Sequence, residues 1–132
     1  MKTPNCDRSI EKKDGTKVGE IHHSKDMEVG YGLIPSERRK GYCTEAVKIM
    51  VDYLFLSKDV VRIYALTNVM NVASQKVLEN VGFKKDGVLR KSLFVRGEWR
   101  DRYIYSILRE EWKEPKILTI DQSLTCCNSI AR

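Results

Sequence analysis

One stretch, residues 27–46 (MEVGYGLIPSERRKGYCTEA), limits the possible folds of this chain most strongly, because it predicts a strand, a short basic loop and a helix start in succession. A strand that feeds a glycine-containing turn directs backbone N–H groups outward at a helix N-terminus, where the helix dipole favours an anion. Arg38, Arg39 and Lys40 add three positive charges around that turn. The stretch therefore predicts an anion-binding site, and the alternative is a solvated basic loop before an ordinary helix.

Within the predicted strand, the side chains alternate between two faces. One face carries Met27, Val29, Tyr31 and Leu33, and the other carries Glu28, Gly30, Gly32 and Ile34. Glycine weakens a strand, and one reason to keep it is the close approach of a ligand or of another backbone. Glu28 therefore shares its face with two glycines that would leave room for a ligand.

The next segments predict a helix over residues 41 to about 56 and then a buried parallel strand over residues 60–66 (VVRIYAL). The predicted helix has an apolar stripe made of Cys43, Val47, Met50, Val51 and Leu54, whereas Glu45, Lys48 and Asp52 are expected to face water. Strand, helix and strand then form one right-handed βαβ unit. Ligands of such units bind beyond the carboxyl ends of the strands.

Two further segments extend this pattern. Residues 8–21 predict a β-hairpin, with Asp14 and Gly15 in its turn. In NVASQKVLENVGF, residues 71–83, Asn71 is a suitable N-cap with Ser74 at the third helical position, and Gly82 is suited to end the helix. Long strands are expected over residues 83–95 and 99–108, joined around Arg96, Gly97 and Glu98 and followed by REEW at 109–112.

Length and composition narrow the class of protein. The 132 residues suffice for one domain, and no apolar run approaches the roughly 20 residues of a membrane helix. The polar N-terminal sequence MKTPNCDRSIEKK does not resemble a signal peptide, so a cytoplasmic location is expected. The net charge of +6 favours an anionic partner. A nucleotide cofactor would fit, and so would RNA or a ribosomal surface. Nucleic acid is not expected as the primary ligand, because the aromatic residues are not interleaved with the basic ones.

The histidines and cysteines do not predict a metal site. His22 and His23 would point to opposite faces of a strand, so they are not expected to bind one metal ion together. Four cysteines, Cys6, Cys43, Cys126 and Cys127, lack a paired metal-ligand spacing. Free thiols in a reducing compartment are therefore expected.

These motifs together resemble the GCN5-related N-acetyltransferase (GNAT) family. RRKGYC at residues 38–43 is similar to the R/Q-x-x-G-x-G/A signature that binds the pyrophosphate of acetyl-coenzyme A (acetyl-CoA) in that family, with Cys43 in place of Gly or Ala. The pattern N-x-A-S-x-x-x-L-E-x-x-G-F from Asn71 and the ending G-x-W-x-D-x-x-x-Y-x-x-L-x-x-E-W resemble the RimJ/RimL-type branch, which acetylates N-terminal amines of ribosomal proteins and related amines. The resemblance covers residues from about 8 to 112.

The resemblance implies an α/β fold (α+β in some schemes): a mixed, mostly antiparallel sheet with a central βαβ unit that binds acetyl-CoA. The family fold normally begins with a strand and two helices, whereas this sequence begins at the hairpin that follows them. We therefore expect an N-terminally truncated domain over residues 1–113 and a tail over 114–132, with a short docking strand around residues 117–120. A second copy of the chain is expected to cover the apolar surface left bare, and exchange of strands or of residues 116–120 between the copies is one way to do so.

The resemblance also implies a reaction and its residues. An amine would lose a proton, attack the thioester carbonyl of acetyl-CoA and expel a thiolate. Glu28 matches a catalytic glutamate of some members and is the expected base. Many members carry a tyrosine where this chain has Leu78, and Ser74 would instead donate to the thiolate. The expected cofactor residues are Asn71, Leu33 and Ile34 along the pantetheine arm, and Arg38, Arg39, Lys40, Gly41, Cys43 and Thr44 around the pyrophosphate.

Several alternatives stay open at this point. Glu28 is equally well explained as a surface carboxylate, and Ser74 as part of a helix cap. The chain as a whole is also compatible with a catalytically degenerate CoA-binding or interaction module, or with a basic protein associated with RNA or the ribosome. The acceptor amine, whether a protein N-terminus or a small amine, is not determined by these motifs.

Overall fold

Two β-sheets and three helices make up the described parts of the chain. The computed structural model describes residues 6–12, 14–33, 41–112 and 129–131. Their elements are β1 (Cys6–Glu11), β2 (Lys17–His23), β3 (Val29–Leu33), α1 (Tyr42–Ser57), β4 (Arg62–Asn68), α2 (Val72–Val81), β5 (Lys84–Val95), β6 (Glu98–Leu108), α3 (Arg109–Trp112) and β7 (Ser129–Ala131). The strand orders are β3-β2-β1-β7 and β4-β6-β5. Every pairing within these sheets is antiparallel except β1 with β7.

The predicted N-terminal hairpin is present as β1 and β2. Gly15 adopts a φ of 91° in the turn, and its N–H donates to the carbonyl of Lys12 at 2.8 Å. The Thr16 N–H donates to Oδ1 of Asp14 at 2.9 Å, as an aspartate in a turn commonly allows. On β2, His22 is exposed and His23 is buried, so the two imidazoles do lie on opposite faces.

The βαβ unit consists of β3, α1 and β4. Its two parallel strands meet at one bridge, between Glu28 and Tyr64, where the Tyr64 N–H donates to the carbonyl of Met27 at 3.1 Å. The predicted helix is confirmed. The predicted strand is present as Arg62–Asn68 rather than residues 60–66, and it pairs with β6 in antiparallel register, so that among the described residues its parallel pairing is limited to this bridge. One prediction about α1 is wrong. Asp52 does not face water but is 1% exposed, and its Oδ1 accepts a hydrogen bond from Nε1 of Trp112 at 2.8 Å.

The C-terminal half contains α2 and a long hairpin formed by β5 and β6. Arg96 and Gly97 have φ angles of 50° and 78°, which is the positive-φ pair that a tight two-residue hairpin turn requires. Arg109, at the start of α3, anchors the chain to the end of α1. Its guanidinium donates to the carbonyls of Val60 and Lys58, each at 2.7 Å.

A single hydrophobic core joins these elements. It contains Val18, Ile21 and Val29 from the first sheet, Val47, Met50, Val51 and Leu54 from α1, Ile63 and Ala65 from β4, Leu78 from α2, and Tyr105 and Ile107 from β6. Among the described helices, none is long and apolar enough to cross a membrane. The docking strand expected around residues 117–120 lies outside the described residues. The described part of the tail, β7, pairs with Ser9, Ile10 and Glu11 of β1.

Candidate active site

The site begins with an opening between β3 and β4. The backbone N–H and carbonyl of Glu28 both bond to Ser24, on the β2 side of the strand, at 3.1 and 2.9 Å. Since backbone groups alternate in direction along a strand, those of Tyr31 and Leu33 point the other way, towards β4. In the described residues the Glu28–Tyr64 bridge is the one pairing between β3 and β4. Beyond it, the backbone groups of Tyr31 and Leu33 therefore border an opening.

The two glycines of β3 have different explanations. A Cβ at Gly30 would lie 2.4 Å from Nε2 of His22, so the exposed imidazole of the neighbouring strand occupies the space beside this glycine. A Cβ at Gly32 would meet no atom within 4 Å. The expectation that a glycine leaves room for a ligand therefore fits Gly32 and not Gly30.

Helix α1 begins at the carboxyl end of β3 without a side-chain cap. Gly41 is its N-cap residue, with φ 82° and ψ 1°, and among the described residues no side chain donates or accepts a capping hydrogen bond there. Cys43 and Thr44 lie in the first turn and are both half-buried. The predicted basic residues, Arg38, Arg39 and Lys40, lie outside the described residues, and so does Ile34. What is described is a helix terminus whose first-turn N–H groups suit an anion.

Helix α2 begins directly after β4 and brings Ser74 to β3. Asn71 is the N-cap, as predicted, and its Oδ1 accepts the backbone N–H of Ser74 at 3.1 Å. Because Asn71 provides the cap, the side chain of Ser74 is not needed for it. Instead, Oγ of Ser74 lies 2.8 Å from the hydroxyl of Tyr31, which is also 3.2 Å from the carbonyl of Ser74.

Tyr31 is the residue at which these elements converge. Burial raises the pKa of Tyr31 to about 12, and the nearby Cys43 thiol acts in the same direction. The first turns of α1 and α2 therefore both lie near the Tyr31 side chain. Sequence reasoning placed Tyr31 only on one face of the strand, without a role in the site. One signal for Tyr31 was available in the sequence. On the face that carries Met27, Val29, Tyr31 and Leu33, its hydroxyl is the one polar side-chain group.

Glu28 lies on the opposite face of β3 from Tyr31, since three positions separate them on a strand. It is half-buried beside Tyr64, whose hydroxyl donates to Oδ2 of Asp26 at 2.6 Å. Burial and this hydrogen bond raise the pKa of Tyr64 to about 12. Hydrogen bonds from Ser24 and Tyr64 lower the pKa of Asp26. The predicted base therefore lies on the opposite face of β3 from Tyr31, whose hydroxyl contacts the predicted thiolate donor, Ser74.

Thr67, near the carboxyl end of β4, was not predicted as a site residue. It is 4% exposed, and its hydroxyl has no hydrogen-bond partner in the described parts of the chain. Such buried hydroxyls are uncommon, because each costs free energy until a partner satisfies it. Thr67 shares its face of β4 with Ile63 and Ala65, which pack against the helices. The uncapped N-terminus of α1 suits a ligand that ends in an anion.

A separate cavity of about 800 Å³ lies at an irregularity in β5. Val88, Leu89, Arg90, Lys91, Ser92 and Asp101 line it. The Lys91 N–H donates to Oδ1 of Asp101 at 2.8 Å, which holds the irregular segment against β6. None of the predicted site residues lines this cavity, so it is not part of the opening between β3 and β4.

Known proteins resemble this chain in sequence. A family model described as an acetyltransferase (GNAT) domain matches residues 5–84. The uncharacterized N-acetyltransferase YnaD of Bacillus subtilis is 34% identical over 85 residues, which cover 64% of this chain and 50% of YnaD. Spermidine N(1)-acetyltransferase of Escherichia coli is 25% identical over 111 residues, which cover 80% of this chain and 60% of that enzyme.

Solved structures resemble the fold as well. The crystal structure of ribosomal-protein-S5-alanine acetyltransferase from Vibrio fischeri matches with a TM-score of 0.69 and 29% sequence identity. That match covers 75% of this chain and 58% of the Vibrio fischeri chain. The chain spans about half the length of the curated relatives it matches.

Proposed function

We propose, from the premise that this chain belongs to the GNAT family of acetyltransferases, that it transfers the acetyl group of acetyl-CoA to a primary amine. The observation that carries this proposal is the opening between β3 and β4, with a helix N-terminus at the end of each strand. Ligands of βαβ units bind at this end of the strands. The catalytically degenerate CoA-binding module and the RNA-associated protein become outcomes of the test below.

Acetyl-CoA would supply an acetyl group activated as a thioester. The N-terminus of α1, with Gly41, Cys43 and Thr44, would hold the pyrophosphate, together with Arg38, Arg39 and Lys40 of the preceding segment. The backbone of Leu33, with that of Ile34, would bond to the pantetheine arm along the free edge of β3, and Asn71 would contact the arm from the start of α2. Support comes from the direction of the Leu33 backbone and from the uncapped helix.

Two side chains would carry the proton chemistry. An ammonium group has no lone pair, so Glu28 would accept a proton from the amine, directly or through water. Ser74 would donate a hydrogen bond to the sulfur as negative charge develops on it. This division is supported by the position of Glu28 on the opposite face of β3 from Tyr31, whose hydroxyl contacts Ser74.

The acceptor, the assembly and the location belong to the same proposal. We place the chain in the RimJ/RimL-type branch, so that the acceptor is the N-terminal amine of a protein or a small amine. The names of the Vibrio fischeri and Escherichia coli relatives, which refer to ribosomal protein S5 and to spermidine, support these two classes. A homodimer and a cytoplasmic location complete the proposal, and the exposed apolar side chains on the β5–β6 hairpin support the homodimer.

Calorimetric titration with acetyl-CoA tests the binding step. Gly41→Val should abolish binding, because a branched side chain would fill the space beside the first turn of α1. Gly15→Val is the matched control. Gly15 also has a positive φ, 91° compared with 82° at Gly41, but it lies in the β1–β2 turn. Equal affinity in both variants would refute the assignment of this helix terminus. Where valine prevents folding, asparagine replaces it at both positions, because it tolerates a positive φ. Arg38→Ala should weaken binding less than Gly41→Val, because the backbone donors remain.

An assay for thiol release then tests the reaction. We expect turnover with spermidine or with a short peptide that has a free N-terminal alanine. The amine that supports turnover identifies the acceptor class. Binding of acetyl-CoA without turnover on either amine would contradict the proposed enzyme and favour the CoA-binding module. If the protein neither binds acetyl-CoA nor turns it over, the RNA-associated alternative is favoured.

A further inference from the structure

We propose that Tyr31 is a positioning residue for the transfer reaction, which acts by turning the hydroxyl proton of Ser74 towards the departing sulfur. This inference rests on the proposed function and adds a residue to it. Tyr31 reaches Ser74 from a different element, across 43 positions of sequence. It would not touch the reacting atoms itself.

The Ser74 hydroxyl forms its hydrogen bond with Tyr31, because the helix cap uses only the backbone of Ser74. The Ser74 backbone N–H is taken by Oδ1 of Asn71. Among the described residues, the Tyr31 hydroxyl is the one partner of Oγ of Ser74, at 2.8 Å, and it also lies 3.2 Å from the Ser74 carbonyl. The direction in which the Ser74 hydroxyl proton points therefore depends on which atom accepts the hydroxyl proton of Tyr31.

Two proton arrangements fit these distances. In the first, Tyr31 donates to the Ser74 carbonyl, and the Ser74 hydroxyl donates back to the oxygen of Tyr31. In the second, Tyr31 donates to Oγ of Ser74, and the Ser74 proton is released to point into the opening. Negative charge on a nearby sulfur favours the second arrangement, because the two hydrogen bonds then polarise each other in one direction.

Tyr31 keeps its own proton in this scheme. Burial raises the pKa of Tyr31 to about 12, whereas a free thiol has a pKa of about 8.5, so proton transfer from the phenol to a thiolate is unfavourable. The carbon–sulfur bond breaks with its electron pair on sulfur, and the sulfur accepts a hydrogen bond from Ser74. The proton that the amine loses leaves on the Glu28 side.

The choice of tyrosine at this position supports the inference. The ring of Tyr31 packs against the hydrophobic core beside Val29, where phenylalanine would fill the same space. A buried phenol is retained where its hydroxyl has a partner, and here that partner is the proposed thiolate donor.

Steady-state kinetics on Tyr31→Phe, Ser74→Ala and the double variant test this role. Tyr31→Phe should lower kcat about tenfold, the equivalent of one hydrogen bond of about 1.4 kcal/mol, and leave KM for acetyl-CoA within about twofold. In the Ser74→Ala background the same change should have no further effect on kcat. If Tyr31→Phe lowers kcat by the same factor in the parent protein and in the Ser74→Ala variant, the proposal is overturned.

Tyr105→Phe is the matched control for a merely structural effect. Tyr105 is also a buried tyrosine that bonds to α2, through Oε2 of Glu79 at 3.2 Å. Its replacement should lower thermal stability and leave kcat unchanged. An equal loss of kcat in Tyr105→Phe and Tyr31→Phe would overturn the positioning role. An inactive parent protein would contradict the proposed function itself, whereas an active parent with an equally active Tyr31→Phe variant would contradict this inference alone.

Discussion

Asp52 is the clearest case in which one residue determines the packing of two helices. Its carboxylate is buried within α1 and accepts a hydrogen bond from Trp112 of α3, whose ring also packs 5.1 Å from that of Phe55. Asp52→Ala leaves the indole N–H buried without this acceptor, so it should lower the free energy of unfolding by about 2–3 kcal/mol. Asp52→Asn retains a carbonyl oxygen and should cost less. Urea denaturation measures both.

Lys48→Ala serves as the control for Asp52→Ala, because it lies on the same helix and has only a half-buried side chain. It should change stability by no more than about 0.5 kcal/mol. Similar losses in Lys48→Ala and Asp52→Ala would contradict the structural role of the buried hydrogen bond.

At the scale of residues, the sequence predicts what depends on near neighbours. The Asn71 cap, the Gly82 end of α2 and the turn at Gly15 were all predicted, because each is determined within a few positions. Asp52 was predicted wrongly because its partner, Trp112, is 60 positions away. The contact between Tyr31 and Ser74 was missed for the same reason. Periodicity identifies a buried face and does not identify the polar pairs within it.

At the scale of elements, Glu111 joins α3 to the second sheet. Its Oε1 accepts the Leu108 N–H at 3.0 Å, and its Oε2 pairs with Nζ of Lys84 at 2.6 Å. Lys84, and next the Leu108 N–H, hold the pKa of Glu111 below its ordinary value of 4.5. A carboxyl whose pKa is lower in the folded state contributes stability above its ordinary pKa, and this contribution is lost as the pH falls through the folded value.

Glu111→Gln should therefore flatten the loss of stability as the pH is lowered from 4.5 towards the lower pKa that Glu111 has in the folded state. Thermal melts across this range measure the effect, which should be small because Lys84 is largely exposed. Glu110→Gln is the control, since Glu110 is exposed on the same short helix. Equal flattening in both variants would mean that the pairing of Glu111 does not contribute.

Most of the elements could be predicted from periodicity and turn residues. The first hairpin, the βαβ unit and the β5–β6 hairpin follow from alternation, turn residues or a helical apolar stripe, and α2 follows from its Asn71 cap and its Gly82 end. The irregularity between Leu89 and Leu93 of β5 could not be predicted in this way. The three polar residues there, Arg90, Lys91 and Ser92, lie opposite one residue of β6, Asp101. The opening between β3 and β4 also escaped prediction. Alternation identifies each strand and carries no information on where two strands part.

At the scale of the whole molecule, exposed apolar side chains concentrate on the β5–β6 hairpin. Val88, Leu89, Phe94 and Trp99 are all exposed, and the rings of Phe94 and Trp99 pack edge to face at 5.2 Å. Four exposed apolar side chains on one hairpin, two of them aromatic and in contact, favour an interaction at this surface. We name this surface the hairpin patch.

We expect the chain to form a homodimer through the hairpin patch, because a two-fold axis would place the same apolar side chains against each other. Phe94→Ser combined with Trp99→Ser should shift the protein towards monomer in sedimentation velocity experiments at micromolar concentration. Val61→Ser is the control, since Val61 is 74% exposed but precedes β4, outside the patch. A parent protein that sediments as a monomer would refute the dimer. Equal dissociation in the control would place the interface elsewhere, because only a change within the contact surface should weaken association selectively.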